Sequence, residues 1–184
     1  MALLGVGLVV YPFATDAWTE HVLQPRLASQ LTSPAQAAAY RNNQLATASA
    51  LTRLRIPRLG VDTVVVQGVT RGALRAGAGH YPNTPLPGER GNVAIAGHRT
   101  TYGRPFRHVD DLRAGDTIEL ITPIGRFEYV VTGAPFIVQP TDLSVLAQDE
   151  RSMLTLTTCH PVDSARERLI VRATLVGQGV ADAA

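Results

Sequence analysis

The sequence predicts a mainly β protein in which short strands close into a barrel, preceded by an N-terminal helical segment. Val, Ile, Leu, Thr and Ala are abundant and only 5% of the residues are aromatic, which suits a core of branched side chains. From residue 54 onward, seven or eight short segments follow one another at hairpin spacing with only brief helices between them. A β-sandwich shares this pattern and stays open as the alternative.

The order of elements in this region follows from apolar alternation and from Pro and Gly breaks. The predicted strands are two within residues 54–69 around Pro57 and Gly60, one at 92–98, a hairpin over 117–138 that turns at Thr122–Gly125, and two final strands at 153–159 and 168–176. Helical turns are predicted at 70–77 and at 141–146, the second capped by Thr141 or Asp142.

The composition of residues 1–51 predicts helices that do not form a second hydrophobic core. Residues 1–14 carry no charged side chain, but a bilayer crossing takes about 20 apolar residues. We therefore expect a partial membrane anchor at 1–15, with Tyr11 and Trp18 near the membrane surface; a short buried or interfacial helix is the alternative.

Residues 16–51 are Ala- and Gln-rich and are broken by Pro25 and Pro34. They predict a juxtamembrane helical stalk, or alternatively a helix packed on the domain. The domain itself is expected at 52–177, followed by a tail at 178–184.

Charge and cysteine content exclude several classes of function. The net charge is +2, and all 17 basic residues are arginines interspersed with 15 acidic ones, so no basic block exists for nucleic acid. Cys159 is the single cysteine, which rules out an internal disulfide and a cysteine-rich zinc site. No His, Asp or Glu cluster has metal-ligand spacing, so we expect no metal and no cofactor.

Cys159 and Arg168 are predicted to face each other. Cys159 ends the strand at 153–159, and Arg168 opens the next strand nine positions on. If the two strands form an antiparallel hairpin, the end of one lies beside the start of the other. His98 ends another buried strand and can lie across the groove from Cys159. The preceding Gly97 has no side chain, which allows another chain or a substrate to approach closely.

These three residue types form a set for acyl transfer. A nearby cation favours the thiolate form of a cysteine, a histidine can pass a proton to a departing amine, and an arginine can stabilise an oxyanion. Cys159 is thus the predicted nucleophile, His98 the proton-transfer partner and Arg168 the oxyanion stabiliser. Thr158 is a further candidate oxyanion donor.

Other polar residues fit the chemistry less well. Asp110, Asp111 and Asp163 are the carboxylates that could orient His98, but each reads as a solvated loop charge. His160 directly follows Cys159 and should point to the opposite face. His80 and His108 are predicted in loops that shape a groove.

Several motifs in the chain resemble those of the sortase family. Thr155-Leu156-Thr157-Thr158-Cys159 resembles the TLxTC signature, Arg168 matches the catalytic arginine, and Ala96-Gly97-His98 resembles the segment with the catalytic histidine. The resemblance covers about residues 52–177. It implies an eight-stranded barrel and assigns Ala96, Gly97 and Thr158 to oxyanion or substrate binding.

The longer strings AGHRTTYGRPF and TLTTCHPVDSARERLIV are most similar to class E sortases of high-GC Gram-positive bacteria, with class D second. This resemblance implies cleavage of an LAxTG- or LPxTG-like C-terminal sorting signal between Thr and Gly. It implies a thioacyl-enzyme intermediate and a peptidoglycan-precursor amine of the lipid II type as the acceptor. It also implies an extracellular catalytic domain that a single N-terminal segment anchors to the cell membrane.

The sequence was weighed against three alternatives, of which the L,D-transpeptidase fails to match. A pilin-polymerising sortase usually carries an Asp-Pro-aromatic lid, and Asp16-Ala17-Trp18 does not match it. An L,D-transpeptidase resembles a His-Gly pair followed by Ser-x-Gly-Cys-x-Arg, which this chain lacks. A non-catalytic β-barrel binding module with a structural cysteine is the third.

Overall fold

The computed structural model describes residues 11–179, and nine β-strands form the body of the molecule. They are β1 (Ala50–Ile56), β2 (Val61–Gln67), β3 (Ala78–His80), β4 (Gly91–Gly97), β5 (Thr117–Thr122), β6 (Gly125–Val131), β7 (Phe136–Val138), β8 (Ser152–His160) and β9 (Glu167–Gly179). Short 3₁₀ turns lie between them at Pro57–Leu59, Ala73–Ala76, Val109–Asp111 and Leu143–Leu146. The predicted hairpin turn at Thr122–Gly125 and the Asp142 cap are confirmed.

The sheet closes on itself. The strand order is β6-β5-β1-β2-β3-β4-β8-β9, and β6 also pairs with β9. Eight strands complete this ring, while the short β7 lies beside the first residues of β9. The closed eight-stranded barrel is therefore confirmed, and the sandwich alternative is wrong because the strands form one continuous ring.

Two pairings in the ring are parallel, β2 with β3 and β4 with β8. The second runs from Gly91 opposite Ser152 to Ala96 opposite Thr157. Parallel strands end at the same edge of a sheet. The carboxyl ends of β4 and β8 therefore lie side by side, which the sequence did not reveal.

One face of the closed sheet packs inward. Its alternation is clearest in β5, where every second residue from Ile118 onward is buried. The inward residues of the long strands and Phe106, from the segment between β4 and β5, form one apolar cluster. Its strand residues include Leu54, Ile95, Ile118, Leu120, Tyr129, Leu154, Leu156, Leu169 and Val171. This core fixes which residues of β4, β8 and β9 are left to face outward.

Strand β3 was not predicted, because its three residues lie within a stretch read as turns. Its last residue, His80, has no exposed surface, and its ring contacts Gln67 Oε1 at 2.8 Å and the Pro85 carbonyl at 2.9 Å. Burial lowers the pKa of His80 to about 4, so the ring is neutral at pH 7. His80 is therefore a structural residue, and the expectation that it shapes a groove from a loop is wrong.

The N-terminal region is helical and packs on the barrel. Helix α1 covers residues 11–31, with a π-helical turn at Thr19–Leu23, and α2 covers Pro34–Arg41. Leu27 and Leu31 are buried against β1 and β2. The Gln24 amide also accepts from the Val64 N–H at 2.7 Å and donates to the Val64 carbonyl at 3.1 Å. These contacts correspond to the packed-helix alternative for residues 16–51.

Residues 1–10 and 180–184 lie outside the described residues, so most of the expected anchor at 1–15 and of the tail at 178–184 is not covered. Strands β1 and β9 each extend about two residues beyond the expected domain limits of 52 and 177. Within residues 11–179, no helix has the length and apolar character needed to span a bilayer.

Candidate active site

Cys159 lies on β8 between two neighbouring strands. In the β8–β9 ladder its direct partner is Arg168. Side chains directly opposite each other in an antiparallel pair project to the same face with their Cβ atoms about 5 Å apart. The predicted hairpin is thus confirmed, and it places the thiol and the guanidinium group on one face.

That face is the outer one. Leu154 and Leu156 point into the core, and residues at odd positions of β8 point outward because strand side chains alternate. Cys159 is accordingly half-buried and is the only cysteine. The strand end delivers it to the surface of the barrel without burying it as a core residue.

His98 follows β4 on the same outer face. Ile95 points into the core, and Ala96 is opposite the outward-facing Thr157 in the parallel ladder. Two residues further along each strand stand His98 and Cys159. The two strands end together, so His98 on one side and Arg168 on the other flank the thiol.

Backbone bonds and one aromatic ring hold His98 in place. Its N–H donates to the Gly77 carbonyl at 2.8 Å, and its carbonyl accepts from the Phe106 N–H at 3.1 Å. The ring packs on Tyr102 with a centroid separation of 5.2 Å. Burial lowers the pKa of His98, so the neutral imidazole is favoured at pH 7 and is able to accept a proton.

Arg168 is anchored at one corner of its guanidinium group. Its Nη1 donates to the carbonyls of Ala165 and Glu167, both at 3.0 Å. Among the described residues no hydrogen bond engages its Nε or Nη2, which leaves donors for an oxygen beside Cys159. Arg168 therefore keeps unused N–H donors on the face that it shares with Cys159.

Tyr81 is a site residue that sequence reasoning missed. Its phenol is half-buried, and burial raises its pKa, while Arg168 lowers it and Cys159 raises it. The Tyr81 hydroxyl group therefore lies close enough to Arg168 and Cys159 for their charges to affect its pKa. The only sequence signal was its place directly after His80, in a stretch read simply as turns.

Thr158 and Gly97 make a bond that was not foreseen. The Thr158 hydroxyl is buried and donates to the Gly97 carbonyl at 2.7 Å. A hydroxyl has one proton to donate, so in this arrangement it is not available to an oxyanion. The oxyanion role of Thr158 stays a prediction.

Gly97 is required by packing with Phe106. A Cβ atom at Gly97 would lie 2.4 Å from Cδ2 of that ring, far inside contact distance. The close approach predicted for a substrate is therefore made by a core side chain. Ala96, half-exposed on the outer face, remains a predicted substrate contact.

The nominated carboxylates lie away from His98. Asp110 pairs with Arg99 at 2.6 Å, Asp111 lies 3.7 Å from His108, and Asp163 is exposed. Among residues 11–179 no carboxylate bonds to the His98 ring. His160 contacts Arg99, as expected for a residue on the face opposite to Cys159. In the same range no three His, Cys, Asp or Glu side chains form a group that could hold a metal ion.

Comparison with known proteins agrees with this barrel. The sortase-domain family model matches residues 54–176. The chain belongs to the sortase family, whose members are cysteine transpeptidases.

Sortase D of Bacillus subtilis is 34% identical over 122 residues, which are 64% of this chain and 60% of that protein. The solved Clostridium perfringens sortase D5 transpeptidase has a TM-score of 0.73 at 29% identity, covering 89% of this chain and 99% of that one. Sortase E from Streptomyces avermitilis has a TM-score of 0.68 at 37% identity, covering 73% and 93%. The chain thus spans less than two thirds of its curated relative, and relatives of classes D and E are both similar to it.

The burial of His98 leads to a titration prediction. A buried imidazole resists protonation, so its NMR titration midpoint should fall below the ordinary value of about 6.5. In Tyr102→Ala the ring is more exposed, and the midpoint should move back toward that value. The buried His80 ring, which contacts Gln67 and Pro85, should keep its pKa of about 4 in both proteins and serves as the internal control. A His98 midpoint unchanged by removal of Tyr102 would contradict the role of this packing.

Proposed function

We propose that this chain is an active sortase transpeptidase. It cleaves an LAxTG- or LPxTG-like C-terminal sorting signal between Thr and Gly and passes the protein to an amine of a lipid II-type peptidoglycan precursor. The observation that supports this most is the register of β4, β8 and β9. It brings His98, Cys159 and Arg168 together on one outer face at one edge of the barrel.

The first half of the proposed reaction forms a thioester. The neutral His98 imidazole takes the proton of the Cys159 thiol, and the thiolate attacks the carbonyl carbon of the signal's Thr. The negative charge that develops on the carbonyl oxygen is met by the unused N–H donors of Arg168. His98 then gives its proton to the glycine nitrogen, the C–N bond breaks, and the peptide amine leaves.

The second half regenerates the enzyme. The acceptor amine attacks the thioester carbon, His98 removes the amine proton, and the oxyanion is again held by Arg168. The C–S bond breaks as the new amide forms, and the proton returns to the thiolate. The reaction exchanges one amide for another and needs no metal or redox cofactor.

The alternatives differ in what they expect of Cys159. A pilin-polymerising sortase would use the same residues with a side-chain amine as the acceptor. A non-catalytic barrel module would leave Cys159 without a chemical role, yet the cysteine is flanked by a histidine and an arginine on a half-exposed face. That arrangement favours an enzyme.

Replacement of the nucleophile tests the proposal directly. Cys159→Ala should abolish cleavage of a quenched LAxTG-type peptide, because no other residue can form the thioester. Far-UV circular dichroism should be unchanged, since Cys159 lies outside the core. A wild-type protein that neither cleaves nor is acylated by any peptide of a sorting-signal library would contradict the proposal.

The oxyanion role is tested by Arg168→Lys. The lysine keeps the charge but loses the planar fork, so kcat should fall about 100-fold or more. The exposed neighbour Arg166→Lys is the matched control and should keep full turnover. If Arg168→Lys turned over at the wild-type rate, the oxyanion donor would have to be another group.

We further propose that the chain is held at the cell membrane through a single N-terminal segment, with the barrel on the extracellular side. Supporting this, residues 1–14 carry no charged side chain, and Phe13 and Trp18 of α1 are 66% and 44% exposed. Aromatic side chains of this kind favour the membrane–water interface.

Flotation with lipid vesicles tests the membrane proposal. The full chain should float with the vesicles, and the double variant Phe13→Ser/Trp18→Ser should float less. Val176→Ser removes an equally exposed apolar side chain from the barrel and should have no effect. Equal flotation of all three proteins would argue against a role for α1 at the membrane.

A further inference from the structure

The backbone ladder between β4 and β8 stops short of the candidate catalytic pair. Its last partners are Ala96 and Thr157, two residues before His98 and Cys159. Beyond that point the two strand ends are joined by side chains. The separation of the imidazole from the thiol therefore depends on side-chain bonds across this gap.

Two such bonds cross the gap in opposite directions. From β8, the Thr158 hydroxyl donates to the Gly97 carbonyl at 2.7 Å. From the segment after β4, Arg99 Nη1 donates to the Cys159 carbonyl at 3.4 Å. The Thr158–Gly97 bond joins the residues that directly precede Cys159 and His98. The Arg99 bond reaches the backbone of Cys159 itself.

Arg99 makes further contacts that fix its own position. Its side chain is only 2% exposed, and Nη2 forms an ion pair with Asp110 at 2.6 Å. Nε donates to the Arg107 carbonyl at 3.2 Å, and Nη1 lies 3.1 Å from Nδ1 of His160. Each guanidinium nitrogen thus has a partner. Because arginine only donates, His160 Nδ1 must be the acceptor, which sets the tautomer of that ring.

A buried charge at this place needs an explanation. Apolar side chains usually stabilise a protein as well as a buried ion pair does, since removing charges from water is costly. A guanidinium group, however, is a rigid planar fork that can bind several acceptors in fixed directions. Its partners are the carbonyl of Cys159, the ring of the next residue and the loop that follows His98.

We propose that Arg99 is a positioning residue for acyl transfer, which holds the Cys159 end of β8 at a fixed distance from the His98 segment. The proposal rests on the proposed function for the identities of the nucleophile and its proton-transfer partner. Arg99 does not touch the reacting atoms; it acts through the backbone of Cys159 and through its own position next to His98.

The test compares Arg99→Gln and Arg99→Lys with wild type, and uses the exposed Arg71→Gln as the matched control. The kcat and KM for the sorting-signal peptide are measured per mole of folded protein, with the folded fraction determined by circular dichroism, so that unfolded protein is not counted. Both Arg99 variants should lose about 100-fold in kcat with little change in KM, because misplacement of a reacting group slows the chemical step. Arg71→Gln should match wild type.

Asp110→Ala covers the case in which the Arg99 variants do not fold. Its side chain is about half exposed, so its loss should leave the fold intact while it frees one arm of the guanidinium group. A loss of about tenfold in kcat is expected, with an unchanged melting temperature. If all three variants turned over at the wild-type rate per mole of folded protein and only their melting temperatures fell, Arg99 would be a stability residue and the proposal would be wrong.

A second readout separates this proposal from the proposed function. The rate of Cys159 alkylation by iodoacetamide, measured across pH, reports the thiol and its neighbours without any peptide. It should fall about tenfold at neutral pH in Arg99→Gln, because a displaced cysteine loses its activating partners. If wild type failed to cleave any peptide, the proposed function would fail. Equal alkylation profiles for wild type and Arg99→Gln would overturn the Arg99 proposal by themselves.

Discussion

Strand β8 is hydrogen-bonded on both sides, and the candidate site depends on that double pairing. It runs parallel to β4 on one edge and antiparallel to β9 on the other. Side chains alternate with a period of two, so a slip of one residue in either ladder would turn Cys159 toward the core and Thr158 outward. The buried Leu154 and Leu156 oppose any such slip. The apolar core thereby sets the register that places the thiol between His98 and Arg168.

Burial sets the protonation state of His98 at this edge, and hydrogen bonds set which donors of Arg168 are in use. His98 is half-buried against Tyr102 and is held in its neutral form, ready to accept a proton. Nη1 of Arg168 donates to two backbone carbonyls, while its Nε and Nη2 groups are left to donate to an incoming oxygen. Fixed dipoles and charges in a partly dry site do not have to reorganise as charge develops, which makes them more effective than water. Tyr81 borders the same region and links the loop after β3 to it.

The sequence predicted well what is local or carried by strong motifs. Cys159 and Arg168 belong to the two strands of one hairpin. Because the loop between these strands is short, the two residues lie opposite each other at the same edge of the barrel. The partnership of β4 with β8 joins residues 61 positions apart, and no periodicity reports such a contact. His98 was nominated instead from its place at the end of a buried strand, and the family resemblance agreed with that choice. Tyr81 and Arg99 were missed because each is a single residue whose surroundings exist only in the folded chain. Gly97 was noticed for a close approach, but the approaching group is Phe106.

The parallel pairing of β4 and β8 also determines when, during folding, the Cys159 thiol acquires its neighbours. A contact across 61 residues closes a longer loop than the β8–β9 hairpin does, so we expect it to form after that hairpin. Until then Cys159 has neither His98 nor Arg168 held beside it. Since the chain has no second cysteine, a newly made molecule cannot trap itself in a wrong disulfide. Reactivity is thus acquired together with the native structure, which limits the time during which an exposed, activated sulfur could be oxidised.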